Sequence, residues 1–264
     1  ETLRELMEKD QSVVMLDADL ASAAGSTKTF SDYPQQTINV GISEANMVSS
    51  AAGLRLSGMK PFVHTFAPFA TRRVYDQLYM SVAYSHNPIH IYGSDPGFWA
   101  QHNGGTHTSF EDLSLMLSLP EFVVTAPSTP RQFAWVLKEY YKENKRPYYT
   151  RAQRKEMPEL YDEKTSFSLG KGIVLSEGED VVLFAIGDGV HESLKVQKQL
   201  LEVGLTTTVV DMFSLKPFDR DLIKKLAPKH RLVLTVENHH VHGGLGSIVS
   251  KVMAEEAIAV PFIG

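Results

Sequence analysis

Short apolar or β-branched runs alternate along this chain with longer stretches whose apolar positions recur three and four residues apart. That alternation of periods assigns the chain to the α/β class. Runs near residues 12–16, 37–40, 61–65, 88–92, 122–125 and 147–150 predict strands, apolar along most of their length, as in a parallel sheet covered on both faces. Between them the spacing predicts helices near 43–57, 68–85, 109–118 and 129–143, several with a Pro or Gly at one end. Residues 1–154 therefore read as one doubly wound, mainly parallel domain. The stretch KEMPELYDEKTSFSLGKG is polar and irregular, so 155–179 reads as a linker. A smaller α/β unit follows over 180–264, in which strands VVLFAI, TTTVVDM and RLVLTVE alternate with helices near 190–203, 219–226 and 245–256. It stops at VPFIG and looks truncated, and the start at Glu1 without a Met likewise suggests removed residues.

Composition narrows the function classes. The 26 Lys and Arg are interspersed among 31 Asp and Glu for a net charge of −5, so no basic stripe speaks for nucleic acid. Cysteine is absent, which excludes disulfides, thiol catalysis and thiolate metal sites. No signal peptide and no apolar run long enough for a bilayer stand out, so a cytoplasmic enzyme without a membrane partner is the expectation.

The segment GISEANM places Glu44 in the first turn of a helix whose Met47, Val48 and Ala51 share its face. A carboxylate on a buried face needs a partner, because burying it alone costs several kcal/mol or protonates it. Capping of its own helix, pairing with an Arg, or a bond to a ligand would each serve. Phe66 and Phe69 follow 22 and 25 residues later, where the strand KPFVHTF gives way to the next helix. In an open α/β sheet, ligands bind outside the carboxyl ends of the strands, at such junctions. The pair fits an ordinary core equally well on its own.

Taken together, VVMLDADL, GISEANM, TFAPFATRRVYDQ and GGTH, in that order and at that spacing, resemble the thiamine-diphosphate enzymes of transketolase type. The likeness runs the whole length, to a pyrimidine-binding domain followed by the start of a C-terminal domain. It implies thiamine diphosphate as cofactor, with Glu44 bonded to a ring nitrogen of the aminopyrimidine and Phe66 and Phe69 walling that ring. Asp19 and Arg72 complete the implied cofactor contacts. His107 is implied as a catalytic and substrate-touching imidazole, Arg151 as a grip on sugar phosphate, and Asn103 as a further substrate contact. The implied reaction moves a two-carbon ketol unit from a ketose phosphate to an aldose.

The family's diphosphate-binding domain is missing from this sequence. The resemblance therefore implies a partner subunit that carries it and holds Mg²⁺ or Ca²⁺, and a homodimer core within a heterotetramer. Gly187-Asp188-Gly189 mimics the family's metal motif, but no Asn follows at the required distance and one Asp offers little to Mg²⁺. His239, His240 and His242 are adjacent in sequence and converge poorly on a metal, so no metal site is assigned to this chain. Tyr75, Tyr79 and Met80 read as core or subunit interface.

At substrate positions the chain departs from the transketolase pattern. Asn103 replaces a family Asp, Ser94 stands near a family His, and Ala23 replaces a phosphate-contacting Ser. Arg72 stands where transketolases carry a Tyr and deoxyxylulose-phosphate synthases an Arg. The sugars are thus left open. So are two other readings, another thiamine-dependent enzyme (a deoxyxylulose-phosphate synthase or a 2-oxo-acid dehydrogenase β-subunit) and a non-catalytic interaction subunit.

Overall fold

The computed structural model describes residues 1–264. The strands β1 (Val13–Asp17), β2 (Thr37–Asn39), β3 (Lys60–Phe66), β4 (His90–Ser94), β5 (Val123–Thr125) and β6 (Tyr148–Ala152) pair in parallel in the order β5-β6-β4-β3-β1-β2. Every residue of β1 and β6 is buried, which the apolar runs anticipate for strands covered on both faces. Helices α1 (Thr2–Lys9), α2 (Thr27–Asp32), α3 (Glu44–Leu56), α4 (Ala67–Ala70), α5 (Tyr75–Gln77), α6 (Asp112–Ser118) and α7 (Pro130–Glu143) connect them. α7 starts where Thr129 accepts the Gln132 N–H and Pro130 fixes the first helical φ. It stops at Asn144, which is left-handed.

The second sheet holds β7 (Ile173–Ser176), β8 (Val181–Ala185), β9 (Thr207–Asp211), β11 (Leu232–Val236) and β12 (Phe262–Ile263), in the order β12-β11-β8-β9-β7. β7 lies within the stretch read as linker and runs antiparallel to β9. Between β9 and β11, the short β10 (Ser214–Lys216) leaves this sheet and pairs antiparallel with β5, so the first sheet takes its edge strand from the second half of the chain. Helices α8 (Asp188–Glu202), α9 (Arg220–Leu226) and α10 (Leu245–Glu255) complete the unit. The core is continuous across the two halves, with Phe184, Val210 and Met212 in one cluster with Met47, Leu113 and Val124.

The single helix expected over 68–85 is broken. The Thr71 hydroxyl donates to the Ala67 carbonyl at 2.7 Å and its backbone leaves the helical region at φ −126°, ψ −86°. A β-branched residue bonding back onto the preceding turn competes with the helix ladder. A 3₁₀ turn, Arg72–Val74, then leads through α5 to a π-helical stretch, Leu78–Tyr84. Just past the break, Arg72 bonds Glu111 and Arg73 bonds Glu44.

His90, on the α7 side of the sheet, packs among the rings of Phe62, Tyr140 and Tyr148 and bonds Thr150 Oγ1 at 3.0 Å. Burial pushes its imidazole down to about 3. An unfolded histidine takes a proton below about pH 6.5, whereas this one stays neutral. Its contribution to stability is therefore complete above about pH 6.5 and is lost progressively as the pH falls toward 3. Urea midpoints compared at pH 7.5 and 5.0 test this. The midpoint falls on acidification in the parent chain, and the fall shrinks in His90→Phe, whose ring joins the same aromatic cluster.

Candidate active site

Strand order places the site. From β1 the chain steps to one side for β2, then crosses back over β1 to β3 and β4, so the direction of winding reverses between β1 and β3. A crevice opens at such a point outside the carboxyl ends of the strands. Asp19 follows β1, Glu44 follows β2, and Phe66 ends β3.

Glu44 is 4% exposed, on the same buried face as Met47, Val48 and Ala51. Its Oε1 accepts from Arg73 Nη1 at 2.8 Å, which answers the need for a partner with an arginine 29 residues further along the chain. The Arg73 side chain is 43% exposed and its guanidinium lies 3.6 Å above the centre of the Phe69 ring. Phe69 stands edge-on to His107 at 5.1 Å, and Phe66 stands edge-on to both, at 6.2 Å from Phe69 and 5.7 Å from His107. The guanidinium of Arg154, itself ion-paired with Asp95, lies 4.8 Å from the centre of the Phe66 ring. A buried acid, two phenyl rings and an imidazole are thus joined at one strand edge. His107 Nδ1 bonds Thr106 Oγ1 at 2.9 Å, which leaves Nε2 as the nitrogen open to a ligand.

Arg72 lies beside this group. It donates to Glu111 Oε1 at 2.7 Å and to the Thr106 carbonyl at 3.2 Å. Although burial opposes it, the Phe110 N–H and Arg72 hold the Glu111 carboxyl below its ordinary range. Asp19 sits in an exposed turn at φ 63°, clamped by Asn39: its N–H donates to Asn39 Oδ1 and its Oδ1 accepts from Asn39 Nδ2, both at 3.2 Å. Asn103 is exposed at the end of a 3₁₀ turn, Gly97–Asn103.

Arg151 is placed differently from the other candidates. On the interior strand β6 it is 4% exposed, with Nε 3.0 Å from Asp112 Oδ2 and Nη2 donating to the Asn238 carbonyl at 2.8 Å. Residues that sequence spacing does not single out are Arg73, Arg154 and Asp112. The doubled arginine in TRRVYDQ is the available signal for the first. Beneath the Asp19 turn lies a further buried set, in which His64 Nδ1–H donates to Asp17 Oδ2 at 2.7 Å and Nε2 bonds Ser94 Oγ at 3.1 Å.

Fit to the cofactor differs at its two ends. Glu44, Phe66 and Phe69 suit a flat heteroaromatic ring with a nitrogen that bonds an acid. For a diphosphate and its cation the chain offers little: no group of three or more His, Asp or Glu is arranged to hold a metal ion. Asp188 of the Gly-Asp-Gly run accepts instead from Trp99 Nε1 and Asn238 Nδ2. Burial pushes the His239 imidazole down, and His240 Nδ1 accepts the His242 N–H.

This fold and site define a pyrimidine-binding domain joined to a C-terminal domain of transketolase type. The transketolase pyrimidine-binding domain matches residues 1–159, and the transketolase C-terminal domain matches residues 170–262. The chain belongs to the transketolase family. It is 41% identical over 254 residues (96% of this chain, 78% of the relative) to the 6-deoxy-6-sulfo-D-fructose transketolase subunit SqwH of Clostridium sp. (strain MSTE9). It is 32% identical over 265 residues (100% of this chain, 85% of the relative) to an apulose-4-phosphate transketolase subunit of Phocaeicola vulgatus. A split-gene transketolase, solved as an inactive β4 tetramer, superposes with a TM-score of 0.89 at 36% identity, covering 99% of this chain and 85% of that one.

Proposed function

We propose that this chain is the pyrimidine-binding subunit of a split transketolase, which transfers a two-carbon ketol unit from a ketose phosphate to an aldose once joined to a subunit that holds the diphosphate and its divalent cation. The carrying observation is the 4% exposed Glu44 at the switch point, in one connected group with Phe69, Phe66 and His107. Thiamine diphosphate, when bound, supplies the nucleophilic carbon and the electron sink that no side chain offers. Glu44 holds and returns a proton at its carboxyl oxygen, a task for which a buried acid is suited because water does not compete for it. Phe66 and Phe69 orient the flat ring and keep water from it.

His107 moves a proton through Nε2 at the substrate hydroxyls. Asn103 reads a hydroxyl, and Arg72 and Asp19 bound the cofactor side. Arg151 contacts the sugar phosphate through its guanidinium while Nε stays beside Asp112 and Nη2 on the Asn238 carbonyl. The likeness of this chain to transketolase subunits and to a split-gene transketolase supports a partner subunit and an oligomer. The test is turnover: ketol transfer from a panel of ketose phosphates appears when the chain is mixed with the diphosphate-binding subunit and is absent from either chain alone. A mixture inert on every ketose donor, despite a formed complex, overturns the reading.

A further inference from the structure

We propose that the second domain is a clasp on the substrate-facing segment of the first, with Asn238 and Asp188 as positioning residues for the stretch that carries Asn103 and His107. The inference rests on the reading above, in which that stretch meets substrate.

Between Pro96 and Phe110, the neighbouring Glu111 apart, the segment has one polar tether to the rest of the first domain, Arg72 on the Thr106 carbonyl at 3.2 Å. To the second domain it is bonded at both ends. Asn238 Nδ2 donates to the Pro96 carbonyl at 3.3 Å, the Phe98 N–H donates to Asn238 Oδ1 at 3.1 Å, and Trp99 Nε1 donates to Asp188 Oδ2 at 2.8 Å. At the far end the His240 N–H donates to the Phe110 carbonyl at 3.1 Å.

The two anchors lock each other, since Asn238 Nδ2 also donates to Asp188 Oδ2 at 3.1 Å. The Asn238 carbonyl in turn takes Arg151 Nη2 from the middle of the first sheet. Gly97 is what admits the amide. Its φ is +59°, and a Cβ there would collide with Asn238 Oδ1. The Gly-Asp-Gly run thereby has a role that is not metal binding. Asp188 opens α8 as an acceptor for two donors, and Gly189 lets the helix approach to where a Cβ would be 2.5 Å from the Val236 carbonyl.

The segment's internal bonds, among them the Gly97 N–H to the Ser109 carbonyl at 2.7 Å and the Gly104 N–H to the Gln101 carbonyl at 3.2 Å, close the loop on itself without fixing where it lies on the first domain. Released from the clasp the loop samples other positions on the domain, and apparent substrate affinity falls in proportion to the fraction of molecules that hold it in the binding arrangement.

The chain has two tryptophans, Trp99 in the clasp and Trp135 packed against Phe167 and Phe213 in the core. In a Trp135→Phe background the emission of Trp99 reports the clasp alone. Asn238→Ala is expected to shift that emission to longer wavelength and to speed hydrogen exchange in the peptide containing the Phe98 amide at least tenfold, with the global unfolding midpoint close to that of the parent. In the complex with the diphosphate-binding subunit it raises KM for substrate at least tenfold, with a smaller change in kcat. Trp99→Phe, at a residue 36% exposed, loosens the same peptide without touching the second domain. Unchanged exchange and emission in Asn238→Ala overturn the clasp, and a loosened segment with unchanged KM overturns its positioning role. If the parent pair shows no turnover, the functional reading fails, while exchange and emission still decide the clasp.

Discussion

Replacing Glu44 by alanine is expected to lower turnover of the reconstituted pair by roughly 10²- to 10⁴-fold, the range that positioned proton transfer supplies, while leaving the fold nearly as stable as the parent. The two effects separate because the partner that Glu44 leaves behind is Arg73, whose side chain is 43% exposed and is taken up by water. An ion pair with one member in solvent is worth little to stability. Glu44→Gln sharpens the point. The amide keeps the shape and can still accept from Arg73, but it exchanges no proton, so its kcat is expected to fall as far as that of the alanine variant. If Glu44 only packs and pairs, the glutamine variant retains its rate. Steady-state kinetics of both variants, beside their urea midpoints, decide between these outcomes.

The largest expected loss of stability lies at Asp112. Its carboxylate is fully buried, accepts from the Tyr149 hydroxyl at 2.8 Å, and stands 3.0 Å from Arg151 Nε. Asp112→Ala strands a guanidinium that is 4% exposed with the Asn238 carbonyl as its remaining acceptor. Leaving one member of a buried pair uncompensated costs about 3–5 kcal/mol. Replacing both members with apolar residues, Asp112→Leu with Arg151→Met, removes the stranded charge but leaves the buried Tyr149 hydroxyl without its acceptor, so only part of that loss is expected to return. Urea unfolding at pH 7 measures both. A loss under about 1 kcal/mol for Asp112→Ala would mean that water reaches Arg151. The double variant also tests substrate binding: stability partly restored with KM raised for phosphorylated donors assigns Arg151 to the sugar phosphate.

What the sequence makes legible follows from the range of the forces involved. The buried strands β1 and β6 can be read because apolar runs between turn signals have a local cause, and the inward face of Glu44 can be read because helical spacing with Met47, Val48 and Ala51 is local as well. A single helix over 68–85 is too simple a reading, since the back-bond from Thr71 to Ala67 leaves the apolar spacing intact while breaking the ladder. β10 carries no pattern of its own in three residues, and its pairing with β5 is fixed by packing between the two halves. The site divides in the same way. That Glu44, Phe66, Phe69 and His107 come together is what motif order anticipates, whereas Arg73 as the partner of Glu44 is seen only in the folded chain. The burial of Arg151 depends on Asp112 and Asn238, which approach it from other elements.

On the proposed function, this chain holds the ring end of thiamine diphosphate and leaves the diphosphate end to another subunit. Calorimetric titration of thiamine diphosphate with Mg²⁺, into this chain alone and then into its mixture with the diphosphate-binding subunit, tests it directly. Heat of binding in the mixture, with none in the isolated chain, is the expected result. Tight binding by the isolated chain would contradict the division of the cofactor between two subunits, and no binding in either would leave the chain an interaction subunit without catalysis.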